Sequence, residues 1–523
     1  MPTADATFTA RRKALWPLAL LPLRGLIGQR PDLDAELERI AASCARAYAD
    51  RPAELRALDE RRLVTPDWYQ RSEMVGYLAY ADRFAGTPGG VVERIGYLQQ
   101  LGVNYLHLLP MPGERFAPAD LRGLGEALRG RGIALGVDAG PIEPDSFDRL
   151  FDEVFALANA GVEVIRIDAG KVPEVHILLI ACRALLGIVA PGVLLLAGPT
   201  PGPGSPVDWF GRGIATGAEC QLAYQPTVPT MLWSALAEQD VRLTRLVLNA
   251  VPAIPPNASW VLAARSPADL DFAITNDQAA ALGLDGAAHR SFLADFYSGE
   301  FPGSFASGEV SGRDPETGDR RIAGTLASLA GLERARSLSG ADRQSETDLA
   351  NRRILLLHAL TMSLGGLPMI NSGDELGQFN DRSYLADPAL AADGRWLHRP
   401  PLDWAAAARR FDPTTAECRI FSGLANLVEA RKRTSQLHAQ AGSRVVEVGN
   451  NHVLGVLRES PRGIVLVLAN LSARAYSIGL HSAPWFAPGV GLRDLISGHP
   501  EERTVRMDPY QVRWLAELPH AGR

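Results

Sequence analysis

A cation and a carboxylate close one apolar, β-prone run of the chain, Val162-Glu163-Val164-Ile165-Arg166-Ile167-Asp168-Ala169. A guanidinium beside Asp168 keeps its carboxyl ionised and aimed, which suits a nucleophile and suits a structural ion pair equally well. On these residues alone both readings stay open. Further carboxylates fall in loops or at the ends of runs: Glu143, Asp208, Glu219 and the adjacent Asp374 and Glu375. No His, Asp or Glu cluster has ligand spacing, so no metal centre and no cofactor are implied. Asp314-Pro315-Glu316-Thr317-Gly318-Asp319 lacks the alternating carboxylates and final Glu of a calcium loop and reads as a turn between short strands. His107 lies inside a strand-like run and reads as a satisfied core group. Trp209, Phe210 and Trp233 read as core or cleft packing. The cluster from Gly198 to Gly204 is a stiff loop, because its prolines remove the N–H donors that a phosphate cradle uses.

The elements that must position these residues are legible as eight runs: 74–84, 103–110, 133–139, 162–169, 193–198, 220–225, 259–266 and 367–372. Helical stretches separate them, and such alternation argues for parallel strands with crossover helices. Eight is the number that closes a (β/α)8 TIM barrel, with a doubly wound sheet as the alternative. The sixth run is the weakest. Only about 22 residues join the third run to the fourth, whereas nearly a hundred join the seventh to the eighth, so an insertion at about 275–335 is expected. Residues 1–72 form an N-terminal helical segment, with amphipathic helices from Asp32 to about Leu63, and 73–442 form the α/β barrel. From 443 to 523 short strands such as RVVEVG and IVLVLANLS predict a C-terminal antiparallel β-sandwich.

Composition bounds the partners. With 46% hydrophobic and 21% charged residues the chain is that of a folded globular protein. A net charge of -6 without a long Lys/Arg run excludes nucleic acid. Four widely spaced cysteines and no CxxC pair indicate neither disulfides nor zinc, and fit a reducing cytoplasm. Arg11-Arg12-Lys13 before the apolar stretch Ala14–Leu23 has the charge layout of an export signal, but Pro17, Pro22 and Arg24 and the lack of a small-residue cleavage pattern argue against one. No run approaches the ~20 apolar residues of a membrane span.

Several stretches in order carry a family resemblance. They are Met74-Val75-Gly76-Tyr77, Tyr80-Ala81-Asp82-Arg83-Phe84-Ala85-Gly86, Leu101 to Pro110, Leu157 to Ala169, Phe301-Pro302-Gly303-Ser304-Phe305-Ala306, Gly373-Asp374-Glu375, Arg395 to Pro400, and Pro509-Tyr510-Gln511-Val512. From about residue 30 to the end the chain resembles an amylosucrase, a sucrose-using α-glucan synthase of the α-amylase superfamily. The resemblance implies Asp168 as the nucleophile with Arg166 beside it, and Asp138, Asp269 and Arg399 as substrate-binding positions. Retaining glycosyl transfer needs a second carboxyl about 5 to 5.5 Å from the nucleophile.

That second carboxyl is where the chain departs from the family. Gly198 stands where the family has its general acid. Pro267 and Ala268 replace its His-Asp pair, whose Asp stabilises the transition state, and the Asn-His that should follow Asp138 falls near Ile142 and Glu143. The segment carrying the pocket-floor Asp, which Arg399 would pair with, is absent between Pro110 and Asp120, as is the domain usually inserted after the third strand. Losing members of a catalytic set costs ~10⁴ to 10⁶ in rate. A catalytically inactive or strongly impaired protein that keeps sucrose or an α-glucan, or a protein, as partner is therefore expected. The alternatives are a live enzyme using Asp168 with a non-standard acid/base, and an activity unrelated to glycosides.

Overall fold

A computed structural model describes residues 5–28, 32–111, 113–140, 147–167, 174–198, 205–266 and 268–518. Its strands are β1 Gly76–Tyr80, β2 Tyr105–Leu109, β3 Ala134–Asp138, β4 Val164–Ile167, β5 Leu194–Ala197, β6 Leu222–Tyr224, β7 Ser259–Ala263, the hairpin β8 Glu309–Arg313 and β9 Arg320–Ala323, and β10 Leu367–Asn371. β1 to β7 and β10 close a barrel in the order β1-β10-β7-β6-β5-β4-β3-β2, each falling inside one of the eight expected runs. Closure excludes the doubly wound alternative. A barrel strand is covered by helices outside and by side chains within, and so reads as a continuous apolar run. β2, β5, β7 and β10 are buried at every position, while β6, the run that reads weakest, is only three residues long.

The chain packs as two compact units. The first comprises Met1–Gln99, Val103–Tyr224 and Pro252–Val261. Its N-terminal helices are α1 Ala6–Ile27, α2 Leu33–Ala49 and α3 Ala53–Val64. α1 lies within the helical segment expected over 1–72, ahead of the amphipathic helices expected from Asp32. Pro17 and Pro22 each lack the N–H that would bond the carbonyl four residues earlier, which argues against helix in an isolated segment. Packing overrides them: Ala19, Leu23, Leu26 and Ile27 are buried, and a Cβ on Gly187 of the helix Val175–Val189 would lie 2.9 Å from Leu15. Asp5 accepts from Thr7 N at 2.8 Å and from Tyr48 Oη at 2.9 Å, which holds the start of α1 to α2.

α2, α3 and the turns after them are tied to the segments that enter the strands. The buried Arg51 grips Asp59 through two bonds of 2.6 and 2.8 Å and donates to Ala158 O at 3.0 Å. Asp59 in turn accepts from Gly192 N at 3.1 Å, two residues before β5. Arg62 donates to Gly192 O at 3.0 Å and pairs with Glu163, the residue before β4. Gln70 Nε2 donates to Pro256 O and Ala258 O, both at 2.8 Å, just ahead of β7. The N-terminal segment thus covers the strand-start end of the barrel, away from the C-terminal strand ends where such barrels carry their chemistry. One barrel helix departs from the eightfold pattern: between β5 and β6 the described chain forms only the 3₁₀ turns Pro206–Phe210 and Gly213–Ala215.

The second unit comprises Gln100–Gly102, Gln225–Val251 and Leu262–Arg523. In the β8/β9 hairpin Asp314 accepts from Glu316 N and Thr317 N, both at 2.9 Å, which is the expected turn. The C-terminal strands are β11 Gly442–Val446, β12 Val453–Ser460, β13 Gly463–Asn470, β14 Tyr476–Gly479, β15 Leu492–Asp494, β16 Pro500–Glu501, β17 Thr504–Met507 and β18 Val512–Glu517. They form an antiparallel sheet β11-β12-β13-β18-β15-β16 and a pair β14-β17, with Leu457, Leu466, Ile478, Val505, Met507 and Leu515 packed between them. This is the expected β-sandwich. Two buried guanidiniums finish the helix Gly340–Ser363. Arg431 donates to Met362 O and to Gly366 O, and Arg458 of β12 donates to Leu364 O at 3.5 Å and His438 O at 2.8 Å. Burial lowers the Arg458 pKa to about 10, which still leaves it charged at neutral pH and suited to a helix C-terminus.

Because Arg51 and Asp59 are both almost fully buried, removing one strands the other. Asp59→Ala should lower the unfolding free energy by about 3–5 kcal/mol in urea titration, and an unchanged midpoint would show that the pair does not hold the N-terminal segment down.

Candidate active site

In the first unit the chemistry-bearing side chains gather at the C-terminal ends of β1 to β6. Asp138 ends β3 and Arg166 lies in β4, paired with it in register, so the guanidinium clasps the carboxylate: Nε to Oδ1 is 2.6 Å, and Nη2 contacts Oδ2. His107 of β2 donates from Nε2 to Asp138 Oδ1 at 2.9 Å and accepts from Tyr105 Oη on Nδ1 at 2.6 Å. A Cβ on Gly136 would sit 2.8 Å from His107 Nδ1, so only glycine leaves room for that link. Burial pushes the Asp138 carboxyl up, but the Arg166 charge and the His107 bond outweigh it and hold the pKa below the ordinary value. Burial lowers the His107 pKa against the pull of Asp138, leaving a neutral imidazole, and raises that of Tyr105 well above the ordinary value.

The result is a fixed relay, Tyr105 to His107 to Asp138, closed by Arg166. It keeps Asp138 anionic, able to orient a guanidinium or accept a ligand hydroxyl and unable to supply a proton at neutral pH. Asp168, Ile142 and Glu143 lie outside the described residues. Gly198 follows β5, buried, with its N–H on Ile167 O at 3.3 Å. Tyr224, at the end of β6, escaped the sequence analysis because it closes the weakest run. Its hydroxyl is buried without a hydrogen-bond partner among the described residues, and burial raises its pKa to about 12, so it remains a donor near Arg166 and Asp138.

In the second unit Arg265 follows β7 and is buried. It donates to Asp374 Oδ1 at 3.1 Å, and Asn371 at the end of β10 donates to its carbonyl at 3.1 Å. His358 lies fully buried with Nε2 4.0 Å from Asp374 Oδ2, and neither ring nitrogen has a hydrogen-bond partner among the described residues. Ala268 N donates to Ser266 Oγ at 3.1 Å in the turn that follows. Asp269 and Arg399 belong to one electrostatic neighbourhood: burial raises the Asp269 pKa, against the hydroxyl of Ser311 and the charges of Arg395 and Arg399. Arg399 also lies over the Trp396 ring at 5.2 Å.

No family model matches the chain. Over 237 residues it is 25% identical to a trehalose synthase/amylase of Mycolicibacterium smegmatis, covering 45% of this chain and 31% of that protein. Over 379 residues it is 23% identical to a trehalose synthase of Thermus thermophilus, covering 66% of this chain and 35% of that protein. The chain thus spans about a third of the length of these curated relatives. Among solved structures its fold is similar to a cyclic α-maltosyl-(1→6)-maltose hydrolase from Arthrobacter globiformis in complex with maltose, with TM-score 0.56, 15% identity and coverage of 87% of this chain and 100% of that one. It is also similar to AmyP in complex with maltose, with TM-score 0.56, 12% identity and coverage of 86% and 97%. The chain is thus similar in sequence to trehalose synthases, and its fold is that of these barrel structures.

Each of the described carboxylates that the sequence singles out in loops or at strand ends is engaged with a partner. Asp208 caps its 3₁₀ turn, accepting from Ser205 N at 2.7 Å, and pairs with Arg212. Glu219 is buried, its pKa raised by burial, with Oε2 2.8 Å from His176 Nδ1. Asp374 holds Arg265, and Glu375 accepts from Gly373 N at 2.9 Å. Among the described residues no group of three or more His, Cys, Asp or Glu could hold a metal ion. Trp209, Phe210 and Trp233 are core residues, with Trp233 Nε1 on Ala264 O at 2.8 Å.

Buried His358, without a hydrogen-bond partner among the described residues, makes its surroundings acid-sensitive. Burial lowers its pKa from 6.5 to about 4, so below about pH 6.5 the unfolded chain takes up the proton first and stability falls as pH falls. Urea unfolding at about pH 7 and about pH 5 should show wild type losing on the order of 2 kcal/mol more than His358→Leu. Equal losses in the two proteins would exclude His358 as the source.

Proposed function

We propose that the chain is an amylosucrase-like member of the α-amylase superfamily that binds sucrose or an α-glucan and has lost, or nearly lost, glycosyl transfer. Gly198 carries this proposal: a residue without a side chain occupies the position of the proton donor, and Asp208, Asp374 and Glu375 are each tied to a partner of their own. What persists is the positioning half of the site, the Arg166, Asp138 and His107 relay with the Tyr224 hydroxyl, groups that hydrogen-bond sugar hydroxyls without breaking a glycosidic bond. The names of the fold neighbours, two of them in complex with maltose, favour a glucan over an unrelated ligand.

A second reading, a live retaining enzyme using Asp168, draws on Glu219, whose raised pKa and His176 partner are the properties of an acid/base group. Sucrose turnover decides between the two. Purified protein and an Asp168→Asn variant should release fructose equally slowly, at the uncatalysed level. Fructose release by wild type and not by the variant would establish the live enzyme and sink the proposal.

Binding gives an independent check. In calorimetric titration with maltooligosaccharides, Tyr224→Phe should weaken affinity about fivefold, roughly 1 kcal/mol for one hydroxyl, with thermal stability unchanged. No heat of binding with either sucrose or maltooligosaccharides would remove the sugar-binding role.

A further inference from the structure

Helix α1 is apolar on both sides. Ala19, Leu23, Leu26 and Ile27 form its buried face. At 3.6 residues per turn, Ala14, Pro17, Leu18, Leu21 and Gly25 fall on the opposite face, and all five are exposed. Leu18 is 60% and Leu21 77% accessible to solvent. Beneath Gly25, Ile177 of the helix Val175–Val189 is 37% exposed and lengthens the strip. A helix on a protein surface ordinarily turns its charged face outward. Here the outward strip is bare hydrocarbon.

The charges around the strip say what covers it. From Ala6 to Ile27 there is no acidic residue, although the whole chain carries a net charge of -6. On the same helical projection Lys13 and Arg24 edge one side of the strip and Arg11 the other. Two copies of this face brought together would set cations against cations, which costs affinity. Leucines between cations match a bilayer surface with acidic headgroups, where the apolar side chains enter the headgroup boundary and the basic ones meet lipid phosphates. No described helix is long and apolar enough to cross a membrane, so α1 would lie on the surface.

We propose that the exposed face of α1, Leu18 and Leu21 flanked by Arg11, Lys13 and Arg24, docks the protein on anionic phospholipid membranes. The test is co-sedimentation of the full chain with vesicles of phosphatidylcholine alone and of phosphatidylcholine mixed with phosphatidylglycerol. Wild type should pellet with the mixed vesicles, not with the neutral ones, and raised salt should release it. The double variant Leu18→Gln/Leu21→Gln and the triple variant Arg11→Gln/Lys13→Gln/Arg24→Gln should each lose about tenfold or more in partitioning while unfolding at the wild-type temperature. Three outcomes overturn the proposal: no pelleting with either vesicle, binding that is indifferent to salt and lipid charge, and a wild-type dimer that Leu18→Gln/Leu21→Gln converts to monomer without any vesicle binding. Because salt release is read on wild type, the proposal stays testable even if a variant fails to fold.

Discussion

A strand covered on both faces offers no water to the polar atoms it carries, so every charged group in this barrel must find its partner inside the fold. Arg166 meets Asp138, Arg265 meets Asp374, and Arg51 meets Asp59, each pair at or near a strand end and each largely buried. These pairs set the register of the loops around them. His107 illustrates the rule from the neutral side: with Tyr105 on one nitrogen and Asp138 on the other, it has no capacity left to exchange a proton with a ligand. His358 is the exception, a buried imidazole whose nearest carboxylate stands 4.0 Å away.

The same constraint sorts the kept residues from the missing ones. Asp138, Arg166 and Asp374 each satisfy a buried partner, and replacing any of them would leave an uncompensated charge in the core. On the proposed reading, the general acid and the transition-state carboxylate of a glycosyl transferase face a ligand, not a partner in the fold, so their replacement by Gly198 and Ala268 carries no folding penalty. Such a division between what the barrel needs and what chemistry needs fits the proposed loss of turnover better than random decay, which would also have damaged the strands.

Much of the fold was legible because it is written in local periodicity. The eight apolar runs, the turn at Asp314 and the C-terminal strands all follow from composition within a few neighbouring residues. α1 was legible only as part of a helical segment, since Pro17 and Pro22 argue against a single continuous helix there unless packing on Val175–Val189 is known. Not legible were the 3₁₀ turns that stand, among the described residues between β5 and β6, in place of a helix, with Trp209 and Phe210 filling the core from them. At the site, the strand-end Arg166 was legible from its own run, while Asp138 and Asp269 came only from the family resemblance. Their partners, 28 positions apart for Arg166 and Asp138 and 109 for Arg265 and Asp374, are set by topology that no spacing rule contains.

Arg458 has a consequence for how the molecule is made. One carbonyl at the end of the helix Gly340–Ser363, Leu364 O, is met by a guanidinium that emerges from the ribosome 94 residues later, after Arg431 has already reached Met362 O and Gly366 O. At typical elongation rates of about 5–20 residues per second that helix end waits roughly 5 to 20 seconds for its donor. Throughout that interval Leu364 O lacks its donor from β12, and the completion of this helix end is timed by synthesis of the sandwich. A chain halted before β12 would carry a barrel helix whose end is one donor short, whatever the quality of its eight strands.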